Sequence, residues 1–177
     1  MANILIHFIR IYLPITIVMS IIVAIIGPFP AVLFGIIFAV IQSIAVEFAN
    51  FLEGMRIDDI NFDIAPFAGI LITYYYSFPA ALVVMFALLI IQDIDVDVNI
   101  FSELEDVAFN ILVMGAAFFF RNAEFLSLAI ILIIIRYFVI NLVHGILTRD
   151  FSPKKYFLEG ITGLVFVFGF RILQAIA

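Results

Sequence analysis

The chain has 177 residues, of which 67% are hydrophobic and 12% charged, and its formal net charge is −6. A soluble domain carries about 25% charged residues, so the apolar excess belongs against lipid. The absence of cysteine excludes disulfides and thiolate metal sites, the two histidines are too few for a His-rich metal cage, and the acidic balance argues against nucleic acid as a partner.

The apolar runs are continuous, whereas the strands of a membrane barrel alternate polar and apolar residues. In lipid such runs must satisfy their own backbone hydrogen bonds, which makes them helices. The expected architecture is therefore an all-α, polytopic transmembrane bundle of six to seven helices, a single integral membrane domain over residues 1–177.

The first span covers about Phe8 to Ile26. It is long and lacks a small-residue cleavage site, so it reads as a retained span. Gly27, Pro28 and Pro30 then turn the chain. A second span runs from Phe29 to Val46 and ends in Glu47 and Asn50, and residues 51–63 read as a polar loop bearing Glu53, Arg56, Asp58, Asp59 and Asp63. The stretch Ile64–Ile91 is uncharged over 28 residues. As one helix it measures about 42 Å, against about 30 Å of hydrocarbon. Tyr74-Tyr75-Tyr76-Ser77-Phe78-Pro79 sits in its middle. Tyrosines prefer the headgroup level and proline removes a helix hydrogen bond, so two short helices joined near Ser77 are expected, with one tilted, kinked helix as the alternative.

An acidic loop follows, Asp93 to Asp106, then spans at Val107–Phe120, Phe125–Leu147 and Tyr156–Leu173, the last two separated by Arg149–Lys155. If residues 64–91 cross once, Arg10, Arg56, Arg121 and Arg171 share one side and Arg149, Lys154 and Lys155 the other; if they cross twice, Arg10, Arg56, Arg149, Lys154 and Lys155 share one side and Arg121 and Arg171 the other, which is the stronger bias. The positive-inside rule then places the N-terminus in the cytoplasm. One internal similarity stands out: Phe29-Pro30-Ala31 and Phe78-Pro79-Ala80 each open an apolar helix that runs to a glutamine, Gln42 or Gln92. Repeats of this kind occur in transport proteins, and chance similarity between apolar helices explains them equally well.

Arg136 is the sharpest single feature, because it stands in the middle of an apolar helix behind Ile131-Leu132-Ile133-Ile134-Ile135. An arginine there costs about 2.5–3.5 kcal/mol on insertion scales and turns towards the bundle interior and a partner. Tyr137, Asn141, His144 and Thr148 recur at helical spacing and form a polar stripe with Arg136 at its margin. The stripe is either a buried seam that holds helices together or the lining of a polar cavity. Glu47 is the expected acidic partner of Arg136, with Glu159 in reserve.

Asp93–Asn99 resembles a calcium loop only in part: its sixth position holds Val98 rather than glycine and its twelfth holds Leu104 rather than glutamate. It reads as a solvated loop. Gly160 and Gly163, with Gly169 further on, mark a face of the last helix where another backbone can approach. No phosphate-cradling glycine loop, Ser/His/Asp set or HExxH site is present. The expectation is a non-enzymatic protein without cofactor or metal, whose partners are the bilayer and other membrane subunits or copies of itself.

The segment DIAPFAGILITYYYSFPAALVVMFALLIIQDI (Asp63–Ile94) resembles the paired short helices of the MreD rod-shape proteins and of the substrate-binding S components of energy-coupling-factor transporters. FFRNAEF (Phe119–Phe125), the long helix to His144, RDFSP and the glycine-bearing last span follow an MreD-like order, so the resemblance covers about residues 63–173. An MreD-like chain implies a non-catalytic scaffold for cell-shape machinery in a prokaryotic plasma membrane. An S component implies capture of a vitamin-like molecule for transport, with an energising partner. A third reading, an ion or proton pathway lined by Arg136, His144 and acidic groups, comes from the residues alone.

Overall fold

The structure is a computed structural model that describes residues 8–54, 63–93, 100–148 and 153–176. A π-helical turn, Phe8–Tyr12, leads into α1 (Leu13–Ile26); then come α2 (Phe29–Gly54), α3 (Ala65–Tyr75), α4 (Phe78–Asp93), α5 (Ile100–Phe119), α6 (Phe125–Thr148) and α7 (Pro153–Ile176). There is no strand among the described residues. The protein is an all-α membrane bundle, with seven α-helices among the described residues. Its outside is as apolar as its inside: Ile25, Phe29, Phe119 and Phe138 are each at least 70% exposed, which water would penalise and lipid accepts. Ile9–Ile26, Phe29–Leu52 and Phe125–Ile146 are long and apolar enough to cross a bilayer, whereas Ala65–Tyr75, Phe78–Gln92 and Gly160–Ile172 are shorter apolar helices.

The helices alternate in direction. Tyr12 at the start of α1 meets Glu47 near the end of α2, and Glu105 near the start of α5 meets His144 near the end of α6. Tyr74 at the end of α3 meets Phe125 at the start of α6. The bundle thus has an entry face, where α1, α5 and α7 begin, and a far face, where these helices and α3 end. On the far face the connections are short, at Gly27–Pro28, Tyr76–Ser77 and Phe120–Glu124. There Glu124 caps α6: its carboxylate accepts the Ser127 hydroxyl at 2.6 Å and the Ser127 N–H at 2.8 Å. These two bonds hold the Glu124 carboxyl below the usual range.

The break near Ser77 is present. Backbone N–H groups of Tyr76 and Ser77 both donate to the Ile72 carbonyl at 2.9 Å, which closes α3. The Ser77 hydroxyl accepts the Ala80 N–H at 3.4 Å and so caps α4, whose second residue is Pro79. The Tyr74 hydroxyl donates to the Ala123 carbonyl.

α3 is the centre of the bundle. Every residue from Asp63 to Thr73 is buried, and α3 packs against α2, α4, α5, α6 and α7. A helix that is apolar all round is expected in that position. The proline-led helices α2 and α4 run side by side in the same direction: a Cβ on Gly27, just before α2, would lie 2.8 Å from Ala80 Cβ in the first turn of α4. Of their glutamines, Gln42 is buried and is used at the site described next, whereas Gln92 is half-buried.

Several boundaries differ from the sequence expectation. α2 continues past Val46 to Gly54. The acidic stretch 93–106 is not all loop: Asp93 ends α4 and Ile100 already starts α5, because carboxylates near a helix N-terminus are favoured by its partial positive charge. Most of the calcium-like segment, residues 94–99, lies outside the described residues, as do 55–62 and 149–152.

Candidate functional site: a buried polar centre

Arg136 is 1% exposed and points into the bundle. Its Nε donates to Asn110 Oδ1 on α5 at 2.8 Å, and its Nη2 donates to Asp63 Oδ2 at 3.0 Å and to Asp106 Oδ1 at 3.2 Å. The guanidinium carbon also stands 4.5 Å from the ring centroid of Tyr137. The Tyr137 hydroxyl donates to the same Asp63 oxygen at 3.3 Å. The other oxygen, Asp63 Oδ1, accepts the Ala65 N–H at 3.1 Å, so Asp63 caps the half-length helix it precedes. One residue on, the Ile64 N–H donates to Gln42 Oε1 on α2 at 3.3 Å.

The depth of this centre follows from helix rise. α6 has 24 residues, about 36 Å, and Arg136 lies eleven residues from its first, so the guanidinium starts about 17 Å from either end. Asp63 precedes Tyr74 by the same eleven residues along the antiparallel α3. The two helices therefore meet at Tyr74–Phe125 on the far face and at Asp63–Arg136 halfway along α6. The N-terminus of α3 thus opens inside the bundle, where its partial positive charge meets an acidic side chain.

Among the described residues, polar groups lead from this centre to the entry face only. Asp106 lies one helical turn before Asn110 on α5, and its side chain is 31% exposed. Beside it, Glu105 Oε2 stands 3.2 Å from His144 Nδ1. In the other direction, Ile64 to Ile72 are apolar and buried, and the first polar side chain reached is Thr73, whose hydroxyl finds no partner among the described residues. Tyr74, Tyr75, Phe125 and Phe170 then pack their rings together at the far end, with centroids 4.8–6.2 Å apart.

The sequence candidates are distributed as follows. Arg136, Tyr137 and His144 belong to this polar row. Asn141 is half-buried on the same helix, and Thr148 ends it. The carboxylates that meet Arg136 are Asp63 and Asp106, not the expected Glu47, which instead accepts the Tyr12 hydroxyl at 3.3 Å. Glu47 lies five residues past Gln42, and Gln42 is level with the centre, so Glu47 stands too near the entry face. The Glu159 side chain lies outside the described residues. Gly160 and Gly163 do bring α7 close: a Cβ there would meet the Tyr137 ring at 3.4 Å and Ile133 Cγ2 at 3.1 Å. Gly169 faces open space and is not part of that contact; nine residues after Gly160, it falls on the opposite side of the helix.

Asp63, Asp106 and Asn110 were missed by sequence reasoning. Asp63 closes a charged segment and was counted with it, although an aspartate two residues before an Ala-Pro helix start is a capping signal. Asn110 is the lone amide in an apolar run, the same kind of signal that exposed Arg136. No protein-family model, curated protein or solved structure matches the chain.

Proposed function

We propose that the chain is a non-enzymatic, multi-pass protein of a prokaryotic plasma membrane whose polar row is a pathway for protons or small ions. The observation that carries this reading is the position of Asp63. It is a carboxylate joined to an arginine halfway along a spanning helix and, among the described residues, approached by titratable groups from one face. Ionisable side chains in membrane interiors are costly and mark such routes. With seven helices the basic residues divide as Arg10, Arg56, Arg149, Lys154 and Lys155 on the entry side and Arg121 and Arg171 on the far side. The approach therefore opens to the cytoplasm. A half-helix terminus at the midplane is also how transporters build their sites.

The test is flux into proteoliposomes. Vesicles carrying the purified protein and an internal pH dye are given a membrane potential with potassium and valinomycin. The expected result is acidification that Asp63→Asn slows at least about tenfold. Vesicles as tight as protein-free ones would sink the pathway reading.

The second reading, an MreD-like assembly subunit, rests on the outer surface. Between α1 and α4 lies a lipid-facing apolar groove of about 430 Å³, lined by residues including Pro14, Val18, Ile22, Phe86 and Ile90. A helix of another membrane subunit, or of a second copy, fits such a surface by van der Waals packing. Co-purification of shape proteins from native membranes, together with tight vesicles, is the outcome that favours it.

A further inference from the structure

Resting on the pathway reading, we infer that the ion is a proton, held by two carboxylates that share one arginine, Asp106 outside and Asp63 inside. The geometry is specific. A single nitrogen, Arg136 Nη2, donates to Asp63 Oδ2 at 3.0 Å and to Asp106 Oδ1 at 3.2 Å. The two acceptor oxygens thus lie no more than about 6 Å apart. One is nearly sealed, with 4% of the Asp63 side chain exposed, and the other is reachable, with 31% of Asp106 exposed.

With both carboxylates ionised, the three side chains carry a net charge of −1, and one proton makes them neutral. The proton passes from hydronium in the entry-face water to the Asp106 carboxylate and leaves a water molecule behind. The Asp106 acid then gives it to Asp63, so that Asp106 is again a carboxylate and Asp63 a neutral acid. Arg136 stays protonated throughout and follows the remaining negative charge, from both acids to Asp106 alone. Protonated Asp63 is a weaker partner for Arg136, and the tie between α3 and α6 loosens. The exchange is thereby linked to the element that blocks the far side.

The surroundings select against metal cations. A sodium or calcium ion needs several oxygen ligands. The Asp63 oxygens are already occupied by Ala65 N–H, Arg136 and the Tyr137 hydroxyl. The remaining neighbour, Asn110, presents an amide Nδ2 donor that finds no acceptor among the described residues. Around Asp63 a bare cation would have to displace these donors to find its ligands, whereas a proton needs only the carboxylate. Among the described residues, the groups facing the pair are Arg136 and Tyr137 from α6, Asn110 from α5 and Gln42 from α2. From Phe78 to Gln92 α4 carries no titratable side chain, and from Gly160 to Ile172 α7 carries only Arg171, near the far end; the side chains of Asp93 and of residues 153–159 lie outside the described residues. Glu105 and His144 stand at the mouth.

Two measurements on the full chain test this. In proteoliposomes, acidification is expected to be unchanged when sodium outside is replaced by choline; a flux that vanishes in choline would show a sodium path instead and overturn the proton assignment. Infrared difference spectra of protein with isotope-labelled aspartate read the second point without any flux. Acidifying the wild type is expected to raise the carbonyl band of a buried protonated carboxyl. Asp106→Asn is expected to remove it over the same pH range, because Asp63 is then locked to Arg136 alone. A band that survives in Asp106→Asn overturns the sharing, even if flux persists. A band that behaves as expected in vesicles without flux refutes the pathway and leaves the two-acid exchange standing. Asp106 is partly exposed, so Asp106→Asn carries the test by itself if Asp63→Asn does not fold; its melting temperature in detergent is the control.

Discussion

At the residue scale, the three charged groups of the centre are not equivalent. Losing Arg136 leaves two carboxylates facing each other, one of them sealed from water. Losing Asp63 leaves Arg136 with Asp106 still in place. Breaking a buried pair by removing one member costs about 3–5 kcal/mol, and Arg136→Gln is expected to fall in that range when unfolding is followed in mixed micelles. Asp63→Asn is expected to cost less, and Asp63→Asn with Arg136→Gln less than the two single losses together. Equal and additive losses would show that Asp106 does not share the charge. Arg136 was legible because a single charge in an apolar helix has no other explanation. Its partner was not, because near a segment end the sequence does not tell an exposed carboxylate from one folded inward to cap a helix.

At the element scale, the division of residues 64–91 into α3 and α4 was legible. The tyrosine cluster, Ser77 and Pro79 mark an interface and a helix start by chemistry that does not depend on the rest of the fold. The depth of α3 was not legible. An eleven-residue helix is short for a bilayer, and the sequence alone does not reveal that its missing turns lie at the entry end. That placement is made by tertiary bonds from Gln42 and Arg136. The glycine face of α7 was partly legible: spacing groups Gly160 with Gly163 and separates Gly169. Gly163→Leu is expected to destabilise the detergent-solubilised protein by about 1–3 kcal/mol, because its first added carbon already presses on Ile133 at 3.1 Å. Gly169→Leu, with nothing within 4 Å, is expected to leave the unfolding transition where it is. Equal effects of the two changes would mean that α7 does not dock through this face.

At the scale of the whole molecule, the number of crossings decides which face every polar group serves. The lipid-exposed surface and the all-helical class were legible from composition. The direction of the helices after residue 91 was not, because a single added crossing moves every later basic residue to the opposite side of the membrane. Asn50, exposed near the end of α2, and Asn122, in the turn between α5 and α6, separate the two topologies. Three helices, α3, α4 and α5, lie between them, so the two positions fall on opposite sides of the membrane. If residues 64–91 formed one span, two crossings would intervene and both positions would share a side. The chain has no cysteine, so Asn50→Cys and Asn122→Cys each introduce a single thiol without background. With the entry face in the cytoplasm, a membrane-impermeant maleimide applied to intact cells is expected to label Asn122→Cys and to spare Asn50→Cys, and inverted vesicles are expected to give the reverse. Labelling of both from one side would make α3 and α4 a single crossing, and Asp63 could not then stand at mid-depth beside Arg136.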